Sequence, residues 1–437
     1  MKHPMRFAFL SLTFLFFIWG FITVVVDAFI PRLKEVFELS YGEAGLVQVA
    51  WFLAYLLVSI PGGILVSKIG YKNGIISGLI LAGLGCWLFY PAAHMRYFPL
   101  FLLALFILAS GITILQVAAN PFVSVLGPEN KAASRLNLSQ AFNSLGTTIA
   151  PIFSATFLLS DSIKSSVDIS TLTESAKNVY FTAEAAAVQN PFLFLGATLV
   201  VIALIFKFIH LPKILDGHHG SSFKEALKHR NLRLGIVGIF VYVGAEVAIG
   251  SFLINYFLSM NMQAEILNSP VLSKLADIIT TLFSGLNFDN LDEKAIVGAF
   301  VIFYWGGAMV GRFIGSYLTI IFPSARVLQS FTLLAILLLI FSMTNTGLIA
   351  MWCTLGVGFF NSIMFPTIFT MSLQGLGDSK PHGSGLLCTA IFGGAIIPPL
   401  FGVAIDNFGF NLAFTIPILC YAFIFYFGKS ASPTSQV

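Results

Sequence analysis

Two carboxylates stand where an apolar chain has least reason to keep them. Asp27 lies between Val24-Val25-Val26 and Ala28-Phe29-Ile30, late in an apolar run, and Glu246 sits inside another, in Gly244-Ala-Glu246-Val-Ala-Ile-Gly250. An acid at the centre of a lipid-spanning helix costs about 2.5–3.5 kcal/mol on insertion scales, so a retained one marks a site or an ion pathway. A carboxylate in a partly dry cavity can load and unload a proton. One flanked by amides and carbonyls can equally hold Na⁺, an oxygen-liganded ion. Asp27 and Glu246 are therefore the expected cation-coupling residues, with H⁺ and Na⁺ both open, and no Lys or Arg inside a span presents itself as a partner for Glu246.

Six amides, Gln116, Asn120, Gln140, Asn143, Asn255 and Asn361, fall in stretches that otherwise avoid polarity. Hydrogen bonds between helices explain such residues without any ligand. A polyhydroxyl ligand, however, needs convergent amides and carboxylates beside an aromatic face. Gln140 and Asn143, three apart, share one helix face. Trp19, Trp51, Tyr55, Tyr242 and Trp305 are the candidate rings. Catalytic chemistry finds no comparable set: a phosphate-binding glycine loop with its Lys is absent, and His is missing from the interior of the apolar runs. Cys86, Cys353, Cys388 and Cys420 lie in apolar runs without a CxxC pair, so neither a disulfide framework nor a zinc site is expected. The chain is expected not to be an enzyme and to carry no cofactor or resident metal.

The elements that position these residues follow from composition. With 57% hydrophobic and only 10% charged residues in 437, the chain departs from soluble domains, which run near a quarter charged. Apolar runs of membrane-spanning length are predicted near 7–26, 44–67, 73–93, 98–120, 136–160, 191–210, 234–259, 295–320, 327–344, 347–373, 384–405 and 410–428. The first is too long for a secretory signal and lacks its cleavage site, so it is read as a retained helix. Twelve passes return the chain to its starting face. That face would carry sixteen of the 23 Lys and Arg, Arg312 among them, which predicts both termini cytoplasmic. The stretches 161–189 and 260–293 are expected as solvated external loops. The basic stretch 211–233, with His218 and His219, is expected as a linker on the inner leaflet rather than a metal site. No nucleic-acid partner is expected from the net charge of +4.

The halves on either side of that linker resemble each other. Gly62-Gly63 through Lys68 returns as Gly306-Gly307 through Arg312, and Gly111, Gln116 and Pro121 return as Gly356, Asn361 and Pro366 at nearly the same offset. Parallel six-helix repeats are one design for transporters, with the substrate site at the midplane between the halves.

Longer motifs sharpen this. GGILVSKIGYK at 62–72 resembles the signature loop between helices two and three of the major facilitator superfamily, with Ser67 in place of its Asp and Lys68 and Tyr71 in place of Arg. NPFVSVLGPE at 120–129, SRLNLSQAFNSLGTTIAP at 134–151, YVGAEVAIGSFLINYF at 242–257 and NSIMFPTIFTMSLQGLG at 361–377 resemble the fucose-galactose-glucose cation symporter family, closest to its glucose/galactose branch. The resemblance ties Asp27, in IWGFITVVVDAFIP, to proton coupling and sugar contact, although Val26 stands where an Asn is usual. It also places sugar binding on RLNLSQAFNS. Fucose permease-like sequences have a Glu at the position of Gln116 and an amide near that of Glu246, so the membrane acids are distributed differently here.

The resulting expectation is an all-α integral membrane protein of twelve helices in two parallel-repeat six-helix halves: 1–210, a cytoplasmic linker 211–233, and 234–437. It would import a hexose-type sugar across the cell inner membrane by alternating access as a functional monomer. The co-transported ion would be H⁺ in preference to Na⁺, with a Na⁺-coupled symporter or a multidrug or other solute exporter of the same superfamily as alternatives. The expected sugar contacts are Gln116, Asn120, Gln140, Asn143, Asn255, Asn361, Trp19, Tyr55 and Tyr242.

Overall fold

A computed structural model describes residues 3–28, 41–157, 173–214, 222–284 and 292–431. Every regular element among them is helical. Spanning helices arise because backbone groups in lipid must be satisfied within the segment. α1 is His3–Ala28; a continuous stretch Tyr41–His94 divides at Gly70 into α2 (41–69) and α3 (71–94); α4 is Phe98–Val125, α5 Ala132–Phe157 and α6 Glu174–Phe208. The second half comprises α7 (Arg230–Ser259), α8 (Glu293–Ile321), α9 (Ser324–Thr344) and α10 (Gly347–Leu373). It closes with α11 (380–408) and α12 (410–430), which divide at Gly409. Gly70 and Gly409 have φ of +82° and +76°, a left-handed turn that a side chain would strain. The chain can therefore reverse there almost without a loop.

Large apolar side chains line the outside, with Phe14, Phe194, Phe208 and Leu419 exposed, as suits a surface against acyl chains. α5 is the exception to apolarity: it is missing from the described helices apolar enough to span by themselves, and it packs centrally against α1, α8 and α10. A polar helix is tolerated where other helices shield it from lipid. Its neighbours α8 and α10 belong to the other half, and α2 packs likewise against α11. At that second seam a Cβ on Gly385 would stand 2.7 Å from the Ser59 carbonyl oxygen, so glycine is what allows the contact.

Three expectations change. Of the stretch 260–293, the described residues 260–284 are not a solvated loop: Met262–Asn268 and Pro270–Ser284 are helices, and Met262, Ile266, Ala276 and Thr280 are buried. Residues 174–189 likewise extend α6 rather than forming a loop. The helix-two and helix-eight glycine motifs are not equivalent in depth, since Lys68 ends α2 while Arg312 lies more than two turns inside α8. The Gln116/Asn361 correspondence in α4 and α10 holds to within about a turn. His218 and His219 lie outside the described residues.

Candidate functional site

α7 carries Glu246 at mid-length, and burial there demands a partner for its carboxylate. The Tyr242 hydroxyl, one turn earlier, donates to Glu246 Oε1 at 2.7 Å. On the other side Arg312 of α8 approaches the same oxygen at 3.8 Å, each side chain only 14% exposed. Behind the pair, the Tyr304 hydroxyl donates to the Glu246 carbonyl oxygen at 3.3 Å, and Asn361 Nδ2 donates to the Tyr304 hydroxyl at 2.8 Å. Three helices of the second half are thus pinned around one carboxylate. The absence of a partner inferred from the sequence is corrected here: Arg312 is an intramembrane cation and drops out of the tally of charges on the face bearing the termini.

Arg312 also reaches across the molecule. Its guanidinium donates to Ser144 Oγ on α5, in the first half, and its Nε donates to the Ser362 carbonyl oxygen at 3.1 Å. The planar fork of Arg suits such divergent contacts, which a Lys ammonium would meet less well. Beside Ser144, Asn143 Nδ2 donates to the Phe16 carbonyl oxygen at 2.9 Å and so ties α5 to α1.

Glu246, Arg312, Asn143 and Ser144 form the floor of a cavity of about 970 Å³ between the halves. Its walls rise past Thr147, Thr148 and Trp305 to Thr280 and Lys294, at the face opposite the chain termini. Toward the face of the termini the halves are closed by contacts between them: Ser384 Oγ donates to the Val117 carbonyl oxygen at 2.8 Å, Ser134 and Ser316 hydroxyls meet at 3.3 Å, and Lys380 pairs with Glu129 at 3.6 Å. The cavity is therefore open to one face and sealed from the other.

The sequence-derived candidates divide around this floor. Glu246 and Asn143 line the cavity, and Tyr242 and Asn361 support it from behind. Gln116 donates to the Tyr55 hydroxyl at 2.5 Å, and Gln140 lies 3.5 Å from Asn120 Oδ1; none of these four is a cavity wall. Trp19 is buried against Phe16, with ring centroids 5.2 Å apart, and Trp305 is the large ring that faces the space. Asn255 is exposed and half a turn around α7 from Glu246, so it does not join the cluster. Asp27 falls in the last turn of α1, and its side chain lies outside the described residues. Sequence reasoning missed Arg312, Ser144 and Tyr304. The signal for Arg312 was its place well inside an apolar run.

The model of the Major Facilitator Superfamily matches residues 8–387. The chain belongs to that superfamily. Within it, the chain is 46% identical over 429 residues to the glucose/galactose transporter of Brucella abortus, covering 98% of this chain and 94% of that protein. The L-fucose-proton symporter of Escherichia coli is 33% identical over 431 residues, covering 96% and 92%. A solved superfamily transporter, FucP in the outward conformation, superposes with a TM-score of 0.87 at 31% identity over 99% of this chain and all of that one. This superfamily member is accordingly a multi-pass membrane transporter and not an enzyme.

Proposed function

We propose that this protein imports a hexose-type sugar, glucose, galactose or a close relative, together with a proton, by rocking its two halves about the cavity floor. The open face would be the outside of the cell inner membrane and the face of the termini the cytoplasm, in line with the Lys and Arg asymmetry. The names of the relatives support the sugar class. The observation that carries the reading is Glu246 at the floor of the cavity, held by Tyr242 and paired to an arginine that also grips the opposite half.

That geometry favours H⁺ over Na⁺. A sodium ion needs several oxygen ligands and a surplus of negative charge, whereas the guanidinium already occupies one side of Glu246 and Lys294 adds a second cation to the lining. A proton needs only a carboxylate oxygen. Its arrival neutralises Glu246 and removes the attraction holding Arg312, which changes the contact between the halves. Sugar hydroxyls would meet Asn143, Ser144 and Thr147, with the apolar face of the ring against Trp305. Asp27 is proposed as a second carboxylate of the pathway on the sequence alone.

Energetically one proton suffices: about 2.3 kcal/mol per charge per 100 mV corresponds to roughly fifty-fold accumulation, at a factor of ten per 1.36 kcal/mol. The test is radiolabelled uptake into proteoliposomes with a panel of hexoses and 6-deoxyhexoses under imposed proton or Na⁺ gradients. Concentrative uptake of a hexose with the proton gradient alone is expected; uptake that requires Na⁺, or none of any sugar, would overturn the reading.

A further inference from the structure

Below the cavity floor the seam between the halves does not become apolar. α5 presents Ser134, Asn137 and Ser144 at three- and seven-residue steps, a spacing that keeps them near one face, and each meets the opposite half. Ser144 receives Arg312, Asn137 Nδ2 donates to Thr367 Oγ1 at 3.3 Å, and Ser134 meets Ser316. α4 adds Asn120 beside Gln140. One turn farther along α4 and α10, Ser124 and Thr370 line a second, smaller cavity of about 160 Å³ next to the Glu129 and Lys380 pair at the face of the termini.

This column is over-supplied with polar groups. Asn120 and Asn137 are both 0% exposed, yet Asn120 Nδ2 and Asn137 Oδ1 have no hydrogen-bond partner among the described residues. Buried amide groups are nearly always paired, and leaving one unpaired costs more than replacing it with an apolar side chain. Two such amides at one seam between the halves leave hydrogen-bonding capacity that the packing does not use. Nor can a ligand in the large cavity reach them here, since neither residue is part of its wall. Water can pair them while the seam is closed, and a hydroxyl-bearing ligand admitted when the seam opens would take the same donor and acceptor.

We propose that Asn120 and Asn137, with Gln140 and Thr367 beside them, form a second sugar-contacting station, engaged only when the face of the termini is open. It rests on the sugar-transport reading and adds a sidedness to it. Far-side entry is handled at Asn143, Ser144 and Trp305, and release passes the Asn120 and Asn137 column toward the small cavity. Each amide offers both a donor and an acceptor, which matches a sugar hydroxyl.

The experiment compares transport from the two faces in right-side-out and inside-out membrane vesicles, using the hexose that the wild type carries, for Asn137→Leu, Asn120→Leu and the milder Asn137→Ser and Thr367→Val. The half-saturating concentration measured from the face of the termini is expected to rise about five- to tenfold. From the cavity face it should stay within twofold of wild type. Equal changes from both faces would assign the column to the general fold, and no change from either would leave it as helix packing; both overturn the inference. If a leucine variant fails to accumulate in the membrane, the serine and valine variants decide on the same criterion. A wild type that moves no hexose from either face would fell the sugar-transport reading and this inference with it.

Discussion

Replacing Glu246 by Gln keeps the side chain's size and removes its charge, and it separates coupling from transport. Wild-type protein driven by 100 mV is expected to reach up to about fifty-fold accumulation, from about 2.3 kcal/mol per charge. Glu246→Gln should level at a ratio of about one while still exchanging labelled for unlabelled sugar, because a side chain that cannot release its proton leaves the cycle uncoupled. The ion pair predicts a matching stability pattern. At 3.8 Å the gross attraction is about 4 kcal/mol at an effective dielectric of about 20, much of it offset by desolvation. Arg312→Gln strands a buried carboxylate, for which removal of one partner costs about 3–5 kcal/mol when fully dry; water in the adjoining cavity reduces this to about 2–3 kcal/mol. The double variant Glu246→Gln/Arg312→Gln should then recover to within about 1 kcal/mol of wild type. Steady-state uptake in proteoliposomes measures the first pattern and unfolding in detergent the second. Full accumulation by Glu246→Gln would refute the coupling argument, and a double variant as unstable as the sum of the singles would refute the ion pair.

Other consequences lie elsewhere in the molecule. Tyr55→Phe removes the acceptor of the 2.5 Å bond from Gln116 and strands a buried amide, so a loss of about 1–2 kcal/mol in unfolding free energy is expected, with little change in sugar affinity. Lys380→Gln breaks an ion pair whose Glu129 side chain is 56% exposed, so a thermal-melting assay should register less than about 1 kcal/mol. Gly385→Val puts a side chain against Ser59 and should prevent closure of the face of the termini. Sugar binding from the cavity face should persist while turnover falls more than tenfold, and wild-type turnover would count against that seam. Asp27→Asn is expected to lose gradient-driven uptake in the same flux assay, and retention would remove Asp27 from the pathway.

Much of the architecture was legible because lipid imposes a simple rule: nearly every apolar run of membrane length corresponds to a spanning helix, with ends set by features such as the left-handed Gly70 and Gly409. Residues 260–284 defeat a sequence reading because polarity and an Asp resemble a solvated loop, whereas Pro270–Ser284 is an amphipathic helix whose inner face contributes Thr280 to the cavity. Glu246 could be singled out by the cost of its charge, since no local pattern explains it. Its partner could not, because Arg312 is 66 positions away and its motif imitates a loop signature that in α2 sits at the helix end. Asn120, Gln140 and Asn143 looked alike in the sequence. Only the packing separates Asn143 on the cavity wall from the other two beneath the floor.

The most direct test of the central claim, that sugar and proton move together through the Glu246 site, is a pH trace. Hexose added to lightly buffered, de-energised right-side-out vesicles, without Na⁺, should alkalinise the medium as protons enter with sugar, and Glu246→Gln should abolish the signal while preserving exchange. Sugar entry with no pH change, or entry that carries ²²Na⁺ instead, would contradict the account.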